Sequence, residues 1–215
     1  MNHHDTAANQ PTEYRATLAR YRRRAPVHDL ELAMFEPARR AAIERLGLSP
    51  GDVVLDLGCG TGLSFEALRR AVGARGRLIG VEQCPEMLAP AEARVHAHGW
   101  HNATLIRSST EEAHIPRRAD AALFHFTHDV LRSPAALQNV RENLVPGARV
   151  VACDLRWAKP WAWPLNFFVL GSALHSVSSL AGLGRPWGLL APHLDHLRVK
   201  PMIAGTVFIA GGTAR

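Results

Sequence analysis

At 215 residues the chain suits one domain, or one domain with a small appendage, around a single core, and a second catalytic domain is not expected. Its composition, 47% hydrophobic and 20% charged, excludes a fibrous or wholly disordered chain. A formal charge of +6 and a pI near 10.0 favour anionic partners, but the arginine clusters Arg22 to Arg24, Arg39 with Arg40, Arg69 with Arg70 and Arg117 with Arg118 are scattered and read as solvated helix faces.

The cysteines Cys59, Cys84 and Cys153 are odd in number and lack CxxC spacing, which argues against a disulfide framework or zinc site and for a reducing cytoplasm. The polar N-terminus MNHHDTAANQPTEY has no apolar h-region, so no secretory signal is expected.

In chain order, residues 1 to 12 read as a mobile tail. Tyr14, Leu18, Tyr21, Leu30, Leu32 and Phe35, then Ala41, Ile43 and Leu46, recur at helical spacing up to Gly47 and the Ser49-Pro50-Gly51 turn, predicting N-terminal helices over 13–48. Asp52 to Leu57 reads as a buried strand, and Gly58, Gly60 and Gly62 follow at once. The next helix has Phe65, Leu68 and Ala71 on its inner face, and a second strand, Arg77 to Val81, ends at Glu82. Pro85 opens another helix through Met87, Leu88 and Ala91.

The alternation continues with strand Ala103 to Ile106, strand Ala121 to Phe126, helix Pro134 to Leu144, the Pro146-Gly147 turn and strand Arg149 to Leu155. Leu197 to Ile203 and Thr206 to Ala210, joined by a short Ala-Gly link, permit only antiparallel pairing. The expected fold is α/β: a seven-stranded, mostly parallel sheet flanked by helices, closed by a C-terminal antiparallel hairpin, in one domain over 13–215.

The strongest chemical signal is Val54-Leu-Asp-Leu-Gly-Cys-Gly-Thr-Gly62. A strand delivers the chain into a loop where missing side chains admit a ligand, and the following helix starts there with free N–H groups and a positive end. This segment resembles the first motif of class I methyltransferases, and Glu82 resembles the acid ending their second strand. The resemblance runs from about Tyr21 to the C-terminus and includes Gln83 to Leu88, Ser108 to Pro116 and the Val145-Pro-Gly147 turn.

It implies S-adenosyl-L-methionine as cofactor. Asp56 then fixes the loop and meets the cofactor's amino group, Gly58 and Gly60 accommodate its methionine portion, and Glu82 accepts from the two ribose hydroxyls. Cys59, Gly62, Gln83 and Met87 complete that wall. Where many relatives carry an aspartate for the adenine amino group, this chain reads Arg107-Ser-Ser-Thr-Glu111, so Ser109, Thr110 or Glu111 takes that place. A nicotinamide dinucleotide is the rival ligand, but the third glycine of its fingerprint would fall at Leu63.

The fourth strand ends in Phe124-His-Phe-Thr-His-Asp129, where the crevice of such a sheet opens. His125 and His128 are candidate general bases, with Asp129 or Asp154 to orient one; the competing reading has a histidine merely packing while proximity does the work. The pairs His125-x-x-His128, His193-x-x-His196 and His96-x-His98 lack a third ligand, so no metal is expected. Neither a [DN]PP[YW]-type segment nor a Pro-Cys nucleophile is present, which disfavours nucleic acid as substrate.

From Pro160 to Gly184 there is no Asp, Glu, Lys or Arg. The segment approaches bilayer length, but its prolines, Asn166, His175 and its place within the sheet order favour a helical cap over 157–192. Trp157, Trp161, Phe167 and Phe168 are the expected walls of an apolar substrate pocket. Tyr21-Arg-Arg-Arg-Ala-Pro-Val-His28 resembles the entry segment of quinone-type and lipid-type methyltransferases, which sets Tyr21 against the cofactor and Tyr14 and His28 against the substrate. The function expected is methyl transfer to an oxygen, nitrogen or carbon of a lipophilic small molecule, with peripheral membrane contact allowed. The alternatives are phospholipid head-group N-methylation, a non-catalytic cofactor-binding protein and an NAD-binding oxidoreductase; the oligomeric state stays open.

Overall fold

Val53, Val54, Leu55 and Leu57 are apolar on both faces of one short strand, and such a strand is stable only where helices cover both sides of the sheet. In the computed structural model, which describes residues 32–159, 162–176 and 180–215, this strand is β1 (Val53–Leu57), buried throughout. The tail expected at 1–12 and all of the helical stretch before residue 32 lie outside the described residues, as do Tyr14, Tyr21, His28 and Trp161.

The other strands are β2 (Arg77–Glu82), β3 (Ala103–Arg107), β4 (Ala119–His125), β5 (Leu144–Leu155), β6 (Leu194–Met202) and β7 (Val207–Ala214). They form one sheet in the order β3-β2-β1-β4-β5-β7-β6. β1 to β5 pair in parallel, while β7 runs antiparallel between β5 and β6. The expected fold class, with its C-terminal hairpin, is what the structure has.

The helices are α1 (Glu36–Arg45), α2 (Phe65–Val72), α3 (Pro85–Ala97), α4 (His128–Leu131), α5 (Pro134–Glu142) and α6 (Trp163–Ser176). Strand alternation sends Val54, Leu123 and Val151 to the face covered by α1, α2 and α3. Leu55, Phe124 and Val150 go to the face covered by α4 and α5. The chain thus changes sides between β1 and β4, and the carboxyl ends of those two strands diverge into a crevice.

Local details differ from the sequence reading. The buried face of α2 is Phe65, Leu68 and Val72, with Ala71 at its border. α5 stops at Glu142, and Leu144 already pairs with Ala119. The Pro146-Gly147 turn is a bulge inside β5, whose pairing with β4 resumes at Arg149 opposite Ala121.

Candidate active site

The glycine loop is bent by its backbone. Gly58 has φ +65°, and a Cβ there would overlap the Thr127 methyl on the far side of the crevice. Gly62 has φ +81°, and its Cβ would meet the Phe65 ring at 2.8 Å and Ala91 at 3.2 Å, so the first turn of α2 packs on α3 only with glycine there. The loop is held from β2: the Glu82 carboxylate accepts from the Gly60 N–H at 3.1 Å and the Cys84 N–H at 2.8 Å. Burial pushes the Glu82 carboxyl up, and the N–H groups of Cys84, Gly60 and Gln83 oppose that.

These elements surround a cavity of about 850 Å³ at the carboxyl ends of β1, β2 and β4. It brings together Asp56, Gly58, Cys59, Gly60, Glu82, Gln83, Met87, Ser109, Thr110 and His125 of the residues expected from sequence. Gly62 lies just behind its wall. Asp56 is 2% exposed, and its Oδ2 has no hydrogen-bond partner among the described residues. Burial pushes the Asp56 carboxyl up to about 7; the Arg39 guanidinium lowers it and Glu82 raises it. A buried carboxylate oxygen with no donor is costly, and a cationic ligand group in the cavity would relieve it.

Arg39 is the functional residue that sequence reading missed. It had been grouped with Arg40 as a solvated face, but the two are adjacent on α1 and point about a third of a turn apart. The Arg39 side chain is 5% exposed and that of Arg40 73%. Arg39 pairs with Glu36 and lines the cavity, placing one cation on a wall that carries the carboxyl groups of Asp56, Glu82, Glu111, Glu112 and Asp129. Its burial follows from α1 packing on β4, β5 and β7, which the local sequence does not disclose.

The two histidines part company. β4 ends at His125, and Phe126 takes φ +54°, a left-handed residue that breaks the strand before α4 begins at His128. His125 lines the cavity and meets the Phe126 ring edge to face at 4.7 Å. His128 is 2% exposed and is not part of the cavity wall. Its Nε2–H donates to the Ala181 carbonyl at 3.1 Å, because a carbonyl oxygen can only accept, and Arg132 donates to the same oxygen. Burial lowers the His128 pKa, against the Ala181 bond and Asp129, which raise it. Asp154 is buried on β5, does not line the cavity, and accepts from the Leu155 N–H.

The cap segment is also arranged differently from expectation. Trp157 is half-buried, its N–H donating to the Leu183 carbonyl at 3.0 Å, and is not on the cavity wall. Phe167 is 67% exposed and pairs with Trp163 at 5.7 Å; it faces outward because α6 buries the opposite side through Val169, in line with Ala162 just before the helix. The Phe168 side chain lies outside the described residues. Among the described residues, no helix is long and apolar enough to cross a membrane.

Comparison with known proteins adds to this geometry. Residues 54–147 match the family described as Methyltransferase domain. The 2-phytyl-1,4-naphtoquinone methyltransferase of Trichormus variabilis is 28% identical over 190 residues, 81% of this chain and 80% of that protein. The enzyme of the same name from Thermosynechococcus vestitus is 26% identical and covers 90% of this chain and 88% of its own length. Among solved structures, the fold is similar to the N-methyltransferase NodS from Bradyrhizobium japonicum in complex with S-adenosyl-l-homocysteine. That match has a TM-score of 0.61 and 17% identity, covering 84% of this chain and 87% of that one.

Proposed function

We infer that the chain is a class I S-adenosylmethionine-dependent methyltransferase and that its acceptor is a lipophilic small molecule of the quinone type. The observation that carries this reading is the similarity to naphtoquinone methyltransferases over four-fifths of both chains. Oxidoreductase and non-catalytic readings are not favoured by these relatives.

The cavity suits the cofactor. S-adenosylmethionine supplies an electrophilic methyl group on a sulfonium centre. Asp56, whose buried Oδ2 has no hydrogen-bond partner among the described residues, would pair with the cofactor's ammonium, and Arg39 with its carboxylate. Glu82 would take the ribose hydroxyls, and the Ser109-Thr110 stretch with Met87 the adenine. The excess of carboxyl groups on the wall favours a donor that carries two positive groups.

His125, at the end of β4 and on the wall, would accept the acceptor's proton where one must leave. Holding donor and acceptor in contact, with water kept out, supplies the larger part of the rate. The test is methyl transfer from labelled S-adenosylmethionine to prenylated hydroxynaphthalenes, beside a water-soluble amine and an RNA. Label in the lipophilic product alone is expected; label in the amine or RNA alone would overturn the acceptor assignment.

A further inference from the structure

Beyond Asp154 the chain holds a single acid, Asp195, against Arg156, Lys159, Arg185, Arg198, Lys200 and Arg215, so this stretch carries +5 of the formal +6. Asp195 opens β6 opposite Thr213 and pairs with Arg215 at 2.8 Å, at the amino-end edge of the sheet. The carboxyl-end edge, where the cavity opens, receives positive charge from this stretch and no negative.

Exposed apolar side chains gather at the same edge. Among the described residues the large exposed hydrophobics are Met34, Trp163, Phe167, Leu189 and Ile203, at 58%, 62%, 67%, 46% and 37%. Met34 stands beside Phe35, whose ring packs at 4.7 Å on that of Phe126 just past the end of β4, so Met34 sits at the carboxyl edge. Ile203 lies in the turn after Met202, which is level with Val207 and hence with Leu155, the last residue of β5. α6 is tied to the chain just beyond β5, with Asn166 Oδ1 accepting from the Ala158 N–H at 2.8 Å. Only Leu189 stands elsewhere.

Apolar residues scattered singly over a surface need no partner, but four collected from three separate segments at one edge of the sheet do. Trp163 and Phe167 follow Lys159 in a stretch with no carboxylate between Asp154 and Asp195, a combination that matches the interface of an anionic bilayer even though carboxyl groups line the cavity beside it.

We propose that this edge docks on a membrane surface rich in anionic phospholipid, with Trp163 and Phe167 entering the interfacial layer and Lys159 near the head groups. The cavity mouth then faces the layer in which a lipophilic acceptor dissolves. The proposal rests on the lipophilic-acceptor reading for its purpose, but not for its evidence.

The test is sedimentation of the full chain with vesicles of phosphatidylcholine alone and of phosphatidylcholine mixed equally with phosphatidylglycerol. Binding to the mixed vesicles, weakened by salt, is expected. Trp163→Ser/Phe167→Ser should bind them at least ~10-fold more weakly while its calorimetric affinity for S-adenosylhomocysteine is unchanged, which shows that the fold is intact. No vesicle binding by the parent chain, or undiminished binding by the double variant, overturns the proposal. So does a dimer of the parent chain, in the absence of lipid, that the two substitutions dissociate, because the face would then belong to a second copy. Vesicle binding by a protein that methylates no lipophilic acceptor upholds the docking surface and overturns the acceptor reading instead.

Discussion

The Glu82 carboxylate joins two separate loops, accepting from Gly60 at 3.1 Å and from Cys84 at 2.8 Å. A carboxylate offers about four acceptor positions, so this bridge leaves capacity for the hydroxyls of a ribose. Glu82→Ala removes both the bridge and those positions. Calorimetry with S-adenosylhomocysteine should show affinity lower by at least ~10-fold, about 1.4 kcal/mol. Glu82→Gln, which keeps one acceptor oxygen, should lose less. Unchanged affinity in the alanine variant would remove Glu82 from the ribose role.

Asp56 makes cofactor affinity depend on pH. Burial holds its carboxyl up to about 7, so below that value a proton must leave before the carboxylate can pair with an ammonium. Affinity should therefore fall as pH drops from about 8 to about 6, approaching tenfold per unit at the lower end. Asp56→Asn should bind weakly and without this slope. Arg39→Met withdraws the cation that lowers the Asp56 pKa, and should move the midpoint upward. Calorimetric titrations across that range decide it, and a flat profile in the parent chain would show that Asp56 does not meet the cofactor's amino group.

What sequence revealed and what it concealed follow from the range of the forces involved. The strands, the glycine loop and Glu82 were legible because each is set locally, by runs such as Val53-Val54-Leu55 and by glycines where φ turns positive. The burial of Arg39 was hidden because it depends on which side of α1 packs on strands a hundred residues later. Reading His125 and His128 as candidates together rested on both following the end of the fourth strand, whereas Phe126 at φ +54° turns the chain into α4 and the second histidine lies off the cavity wall. The apolar run after Pro160 announced a buried surface, yet hydrophobicity alone does not say whether Phe167 meets a substrate, a core or a membrane.

Gly58 gives a test of the loop's own conformation. In Gly58→Ala the new methyl overlaps the Thr127 side-chain methyl, and φ +65° adds roughly 1 kcal/mol of backbone strain. Thermal unfolding should begin earlier and S-adenosylhomocysteine should bind more weakly. Adding Thr127→Ser deletes the opposing methyl and should recover part of the stability, leaving the backbone term. No recovery in the double variant would mean that the overlap is relieved by movement of the loop.

The histidines separate by readout. His125→Ala should leave cofactor affinity near that of the parent chain and lower kcat about 10²-fold where the acceptor must lose a proton. His128→Ala breaks the bond to Ala181 and should lower the melting temperature through the segment it anchors, with a smaller effect on kcat. Single-turnover rates and melting curves of the two variants distinguish these roles. If both kcat values equal that of the parent chain, no general base of this kind operates.

Asp154 makes stability depend on pH in a way that one variant isolates. Its Oδ1 accepts from Leu155, and its Oδ2 is buried with no partner among the described residues; burial pushes its carboxyl from 3.8 up to about 8. The folded state therefore holds a proton that the unfolded chain releases near 3.8. The resulting stabilisation is complete below that value and is lost as pH rises through about 8. His128, whose pKa burial lowers, works in the opposite sense at lower pH, so the comparison must be with Asp154→Asn, which keeps the shape and the acceptor without titrating. The melting temperature of the parent chain should fall relative to that of the variant as pH increases across this window. Parallel curves would mean that Asp154 is charged in the folded protein and has found a cation.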